Sequence, residues 1–382
     1  MKNEAPKPAT ILAQADHYID ATTGAVTPPL IAASTFARDA DYAPRLPGVT
    51  YSRDGNPTYR QAEQVLAKLE GAADAMLVAS GIAAGSTLLR SLSAGDHLVI
   101  PRVMYHGLRE WVHSFSNRWD LAFSEFDPTA PNALEAAIRP GETKLVWIET
   151  PCNPTWDVTD IAAAAALAHK AGAKLAVDST VATPLLTRPI ELGADYVMHS
   201  ATKYLNGHSD VVAGALAAAA EDELWAKARE SRSLDGVILG PFEAWLVLRG
   251  MRTMHLRVQQ SCASAMHIAS HFSAHPKIER VLYPGLADHP GHEIAKRQMR
   301  GGYGGMMSIQ VAGGRDAALR VAKAVQLFIP ATSLGGVESL LEHRATVEGP
   351  DSPVPDNLLR ISVGIEDVGD LVADLEQALT QA

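Results

Sequence analysis

The stretch VMHSATKYLNGHSDVVAG, residues 197–214, puts Lys203 directly after Ser200, Ala201 and Thr202 and ahead of a polar, glycine-containing segment. The apolar run YVMHS before it reads as a buried strand, so Lys203 lies just past a strand end. A lysine taken alone is most often a solvated surface group. Its surroundings change that reading. The preceding strand-like run, KLAVDS, ends in Asp178, and an acid there is either a helix cap or a functional charge. If both strands share a sheet, amine and carboxylate reach the same crevice.

Working outward, residues 54–249 alternate short β-rich runs with helical stretches. AMLVAS, DHLVIP, KLVWIET, KLAVDS and YVMHS are the strands, and YRQAEQVLAKLEG and DIAAAAALAHKAG are two of the helices. Continuous apolar strands separated by helices imply an α/β fold with a mostly parallel sheet. Ligands of such sheets lie beyond the carboxyl ends of the strands, where ASG, IPRVMY, IETPCNP, VDST and HSATK all fall. Residues 1–53 show little periodicity and read as an N-terminal arm. Residues 250–382 read as a smaller α/β domain, with a long helix in LRVQQSCASAMHIASHFSAH, a strand in MMSIQVAG and a closing helix in VGDLVADLEQALTQA.

With 382 residues, 47% of them hydrophobic, the chain can bury a large core and divide into two or three domains. A net charge of -10 without a Lys/Arg cluster argues against nucleic acid as a partner. Two cysteines, Cys152 and Cys262, form no metal-binding spacing and no disulfide framework. No metal site is expected. The first residues lack a signal-peptide core and no apolar run reaches membrane-spanning length, so a cytoplasmic protein without a membrane partner is expected.

Beside Lys203 and Asp178, the hydroxyls of Ser200 and Thr202 and the small-residue turn SGIAAG, 80–85, complete a pattern. That turn opens a helix, whose free N–H groups suit a phosphate. A lysine amine, an isolated carboxylate and a phosphate site in one crevice point to pyridoxal 5'-phosphate. The lysine would condense with its aldehyde, and the acid would keep its ring nitrogen protonated.

The segments TGAVTPPLIAASTF, YSRDGNPTYR, ASGIAA, IETPCNPT, HSATKYLNGHSDVVAG, SLGGVESL and NLLRISVGIED run in order along nearly the whole chain. Together they resemble the Cys/Met-metabolism (trans-sulfuration) family of pyridoxal-phosphate enzymes, which includes cystathionine γ-synthase, cystathionine γ- and β-lyases and methionine γ-lyase. The resemblance implies the aspartate-aminotransferase-type fold, fold type I, assembled as a homotetramer of two dimers. Lys203 then matches the Schiff-base lysine, and Gly81, Ile82, Ser200 and Thr202 match the phosphate site. Tyr51 and Arg53 match a pair donated to the phosphate of the neighbouring subunit. Tyr105 matches the tyrosine that stacks on the ring and acts in proton transfer. Asn153 and Asp178 match residues near the ring oxygen and ring nitrogen. Ser333 and Arg360 match those that position the lysine and bind the substrate α-carboxylate. Without the family, Arg360 reads as a surface charge at a strand edge.

Departures from the family bear on the reaction. Asp178-Ser179-Thr180 stands where Asp-Asn-Thr is usual, and Gly81-Ile82 stands where Gly-Met is usual. Thr332 precedes SLGG, where γ-synthases and γ-lyases typically carry glutamate. Gly107, after His106, replaces the cysteine typical of methionine γ-lyases. His343, Arg344 and Glu348 fall at the expected substrate end, with a solvated loop as the alternative reading. The expected function is γ-elimination or γ-replacement on a cystathionine-, methionine- or O-acylhomoserine-type amino acid, or on one with a non-sulfur leaving group such as that of canavanine. Cystathionine β-lyase is the alternative, and a pyridoxal-phosphate aminotransferase a more distant one.

Overall fold

The computed structural model describes residues 6–349 and 352–382. Seven strands form the first sheet: β1 (Asp74–Val78), β2 (His97–Pro101), β3 (Ala122–Phe126), β4 (Thr143–Glu149), β5 (Lys174–Asp178), β6 (Tyr196–His199) and β7 (Gly214–Ala218). Their order is β1-β7-β6-β5-β4-β2-β3, and only β7 pairs antiparallel with its neighbours. The fold is α/β.

Alternation along β4 shows why its run is apolar throughout. Leu145 and Trp147 enter the core beneath the helix Gly81–Leu89, whereas Val146 and Ile148 enter the core beneath the helix Ile161–Lys170. With both faces covered, every position of such a strand is buried. Two strands carry no clear sequence signal. β3 is an edge strand, AFSEF, with polar residues inside it, and β7 is GALAA, whose alanines favour helix over strand.

A second sheet follows the helix Met254–Phe272: β8 (Ile278–Leu282), β9 (Met306–Val311), β10 (Ile329–Pro330), β11 (Leu340–His343) and β12 (Leu358–Ser362). Its order is β10-β11-β12-β9-β8. On β12, Leu359 and Ile361 enter the core shared with the helices 254–272, 314–324 and 368–379. Arg360 alternates to the opposite face, toward the first sheet. There Trp156, in the loop after β4, donates its indole N–H to Ser308 of β9 at 2.8 Å. The arm before residue 56 contains the short helix Pro8–Ala13 and only isolated bridges, such as Thr35 to Tyr51. Among the described residues no helix is long and apolar enough to cross a membrane, and no group of three His, Cys, Asp or Glu could hold a metal ion.

Candidate active site

The carboxyl ends of β1, β4, β5 and β6 open onto one cavity of about 310 Å³. Its lining brings together Gly81, Ile82, Tyr105, Asn153, Asp178, Ser200, Thr202, Lys203, Ser333 and Arg360. Tyr51 and Arg53 are not among them. Both are exposed, and the Arg53 guanidinium lies 5.3 Å from the centre of the Tyr51 ring.

At one end, Ser80 caps the helix Gly81–Leu89 by accepting the N–H of Ala83 at 3.0 Å. The N–H groups of Gly81 and Ile82 have no partner among the described residues, since the first turn of a helix offers none within it. A Cβ on Gly81 would lie 2.8 Å from both Cβ and Oγ of Ser200, so only glycine lets the helix approach the end of β6 this closely. The Thr202 hydroxyl both donates to the carbonyl of Ala213, at 3.0 Å, and accepts its N–H, at 2.9 Å. The free donors here are therefore the two helix N–H groups and the Ser200 hydroxyl. No cationic side chain of this wall accompanies them.

In the middle, Asp178 accepts the hydroxyl and N–H of Thr180 on Oδ1, at 2.6 and 3.0 Å. Its Oδ2 takes no hydrogen bond from the described residues, so it is open to the cavity. Thr180 also accepts the Ser200 N–H at 2.8 Å, tying the carboxylate to the phosphate-type end. Burial raises the Asp178 pKa, and Thr180 and His199 pull it back. His199 is itself paired with buried Glu70 at 2.6 Å. Lys203 donates to the Ser333 hydroxyl at 2.7 Å and has no carboxylate partner among the described residues. Burial, with Arg360 adding to it, pushes its pKa down to about 8. The amine therefore gives up its proton more readily than a solvated lysine does.

At the other end, Arg360 is 4% exposed, in the middle of the second sheet, so its reading as a strand-edge surface charge is overturned. Its guanidinium donates to the Ser333 carbonyl at 2.8 Å and to Asn153 Oδ1 at 3.3 Å, and lies 2.7 Å from Glu342. Ser333 holds a φ of 130°, a strained value for a residue with a side chain. Glu342 also pairs with Arg344 at 2.8 Å and accepts the Thr332 hydroxyl at 2.5 Å. Burial works against its charge, yet Arg360, Thr332 and Arg344 together hold its pKa below the ordinary carboxylate value. Arg344 completes the chain through Glu348 at 2.5 Å. The solvated-loop alternative for this segment fails: Leu340–His343 is a strand, and Arg344 is buried in the cavity wall. His343 turns away, onto Thr346 and the Asp356 carbonyl.

Two carboxyl groups escaped the sequence reading. Glu342 has no local signal, because its partners lie on other elements. Glu149 does: it ends the apolar run of β4 as Asp178 ends that of β5, and the two are opposed in the strand pairing. Burial, reinforced by the Asp178 charge, pushes the Glu149 pKa up to about 8.

A lysine, an acid with one open oxygen and a helix end with free N–H groups, set at the strand ends of an α/β sheet, fit a pyridoxal-phosphate enzyme of the aspartate-aminotransferase type. The profile of the Cys/Met metabolism PLP-dependent enzymes matches residues 9–380, and the chain belongs to that family. It is 46% identical to a cystathionine γ-synthase of Mycobacterium tuberculosis over 97% of this chain and 96% of that one. It is 42% identical to a cystathionine γ-lyase of Dictyostelium discoideum, over 98% and 97%. The crystal structure of metB from Corynebacterium glutamicum superposes with a TM-score of 0.94 at 41% identity, covering 98% of each chain. Relatives of near-equal similarity thus carry different reaction names, so overall identity does not choose among reactions. The cofactor is pyridoxal phosphate, and the substrate class is a small amino acid.

Proposed function

We propose that the protein catalyses elimination or replacement at the γ-carbon of a sulfur-containing or homoserine-derived L-amino acid. The observation that carries this is the state of Lys203. Its amine gives up a proton more readily than a solvated lysine, and among the described residues one hydroxyl, that of Ser333, is its only hydrogen-bond partner. Departure of a γ-substituent requires one base to take the Cα proton, release it elsewhere and then act at Cβ. An ion-paired lysine could not move in this way.

When bound, pyridoxal phosphate supplies an aldehyde for the amine and a protonated ring that draws electrons from Cα. Asp178 Oδ2 would hold the proton of the ring nitrogen, and Thr180 keeps that carboxylate oriented and counters the burial that raises its pKa. Gly81, Ile82 and Ser200 receive the phosphate, with Thr202 beside them. Tyr105, whose ring borders the cavity, would lie against the cofactor ring and assist proton transfer. Arg360 binds the α-carboxylate, with Asn153 and Ser333 fixing its fork. The phosphate end lacks a cation of its own, and Arg53 and Tyr51 project from the surface. These features support a site completed by a second copy of the chain; a homotetramer of two dimers working in the cytoplasm is proposed with it. The arm is assigned to residues 1–53, the cofactor domain to 54–249 and the smaller domain to 250–382.

The test is a substrate panel on the holoenzyme: cystathionine, methionine, homocysteine, O-acetyl- and O-succinylhomoserine and canavanine, each alone and with a thiol. Formation of 2-oxobutanoate, homoserine or a thioether reports γ-elimination, hydrolytic replacement or thiol replacement. Rapid pyruvate release from cystathionine, with every γ-substituted substrate inert, would replace this reading by β-elimination.

A further inference from the structure

Glu149 is 6% exposed, and neither the lysine nor the carboxylate-binding machinery described above includes it. Its two oxygens face different loops. Oε2 accepts the N–H of Tyr105 at 2.6 Å, and Oε1 accepts the N–H of Asn153 at 2.9 Å. Each residue is thereby held by its backbone, which leaves its side chain free for the cavity. Tyr105 is the residue before the helix His106–Trp119, so its loop is fixed just where the helix begins. From Asn153 the path continues through Oδ1 to the Arg360 guanidinium, and from Arg360 through the Ser333 carbonyl to the residue that tethers Lys203.

We propose that Glu149 is a positioning residue for substrate recognition: by accepting two backbone N–H groups from separate loops, it sets Asn153, and through it Arg360, against the substrate α-carboxylate. The inference rests on the reading that Lys203 carries the cofactor and Arg360 meets the carboxylate. A carboxyl is suited to the task because each oxygen keeps a lone pair to accept with, the hydroxyl oxygen more weakly when the group is protonated. An amide offers one acceptor, and its nitrogen would face an N–H. A buried N–H deprived of its acceptor moves its loop or loses a hydrogen bond outright.

The test uses Glu149→Gln holoenzyme and two probes followed by the visible absorbance of the bound cofactor. Glycine carries the α-carboxylate but no leaving group. Methylamine has the amine alone. Glycine affinity should fall about tenfold, the effect of one lost hydrogen bond to a charged site, while methylamine affinity stays within about twofold. Equal weakening of both probes would mean a general structural fault and overturn the proposal, as would unchanged glycine binding. If Glu149→Gln fails to retain the cofactor, Glu149→Asp withdraws the acceptors by one methylene and is judged by the same contrast. Failure of both variants to hold the cofactor also overturns it, because the role is then in cofactor binding or folding. A wild-type protein with no visible band, or one that binds glycine no better than methylamine, would instead remove the underlying reading and the inference with it.

Discussion

Replacing Lys203 by methionine should make the cofactor-free protein more stable at neutral pH, although it abolishes turnover. The lysine is held where its charged form is disfavoured: burial and the nearby Arg360 lower its pKa from 10.5 to about 8. At about 1.4 kcal/mol per pH unit, that difference amounts to about 3 kcal/mol against the ammonium in the folded state. The folded protein releases this proton near pH 8, whereas the unfolded chain keeps it until about 10.5. Between those values the unfolded state binds more protons, so wild-type stability rises with pH across that window. The full penalty is present below pH 8 and gone above 10.5. Methionine carries no charge and has a similar reach, so the variant should exceed wild type by about 3 kcal/mol at pH 7 and converge on it by pH 10.5. Urea unfolding of both cofactor-free proteins, followed by far-ultraviolet circular dichroism at matched pH, measures the gap. Other titrating groups are common to the two proteins and cancel in the difference. A gap absent at pH 7, or one that widens as pH rises, would refute the account of why Lys203 is easily deprotonated and free to act.

Three further outcomes are expected. Arg360→Ala should lower kcat/KM at least about tenfold for every amino-acid substrate, since a hydrogen bond to a charged group contributes about 1.5–3 kcal/mol, while the visible band persists; unchanged kinetics would remove Arg360 from the site. Mixing Arg53→Ala with Lys203→Ala chains should restore activity, because one site of each hybrid dimer then carries neither defect, and hybrids that form without activity would mean a site completed within one chain. Ser333→Gly and Ser333→Ala both lose the hydroxyl that holds Lys203, but only glycine relieves the φ of 130°, so the glycine variant should be the more stable of the two by about 1 kcal/mol in thermal or urea unfolding. A more stable alanine variant would mean that the backbone at Ser333 is not strained.

Much of this protein was legible in its sequence because its information is local. Apolar runs such as LVWI and LAV are strands covered on both faces, and the rule that strand ends meet a common crevice places Asp178 and Lys203 together before any contact is known. Ser80-Gly81 opening a helix is equally local: its free N–H groups follow from helix geometry alone. The strand GALAA was illegible for the opposite reason, since alanine takes its conformation from the sheet around it.

What the sequence determined by itself, then, was the fold class and the meeting of Lys203, Asp178 and the Ser80-Gly81 turn at one crevice. Tertiary structure alone decided the wall opposite. Arg360 lies in the second sheet yet is bonded to Asn153, which follows the first sheet's fourth strand, 207 positions earlier in the chain. Glu342 takes its meaning from Arg360, Arg344 and Thr332, brought to it by β12, by the short helix that follows β11 and by the loop that follows β10. A buried charge persists only where partners surround it, and the partners of these residues come from separate elements. Sequence spacing carries no record of which elements will meet, so Glu342 became visible only when the two sheets closed on the same cavity, whereas Glu149 ends an apolar run as Asp178 does.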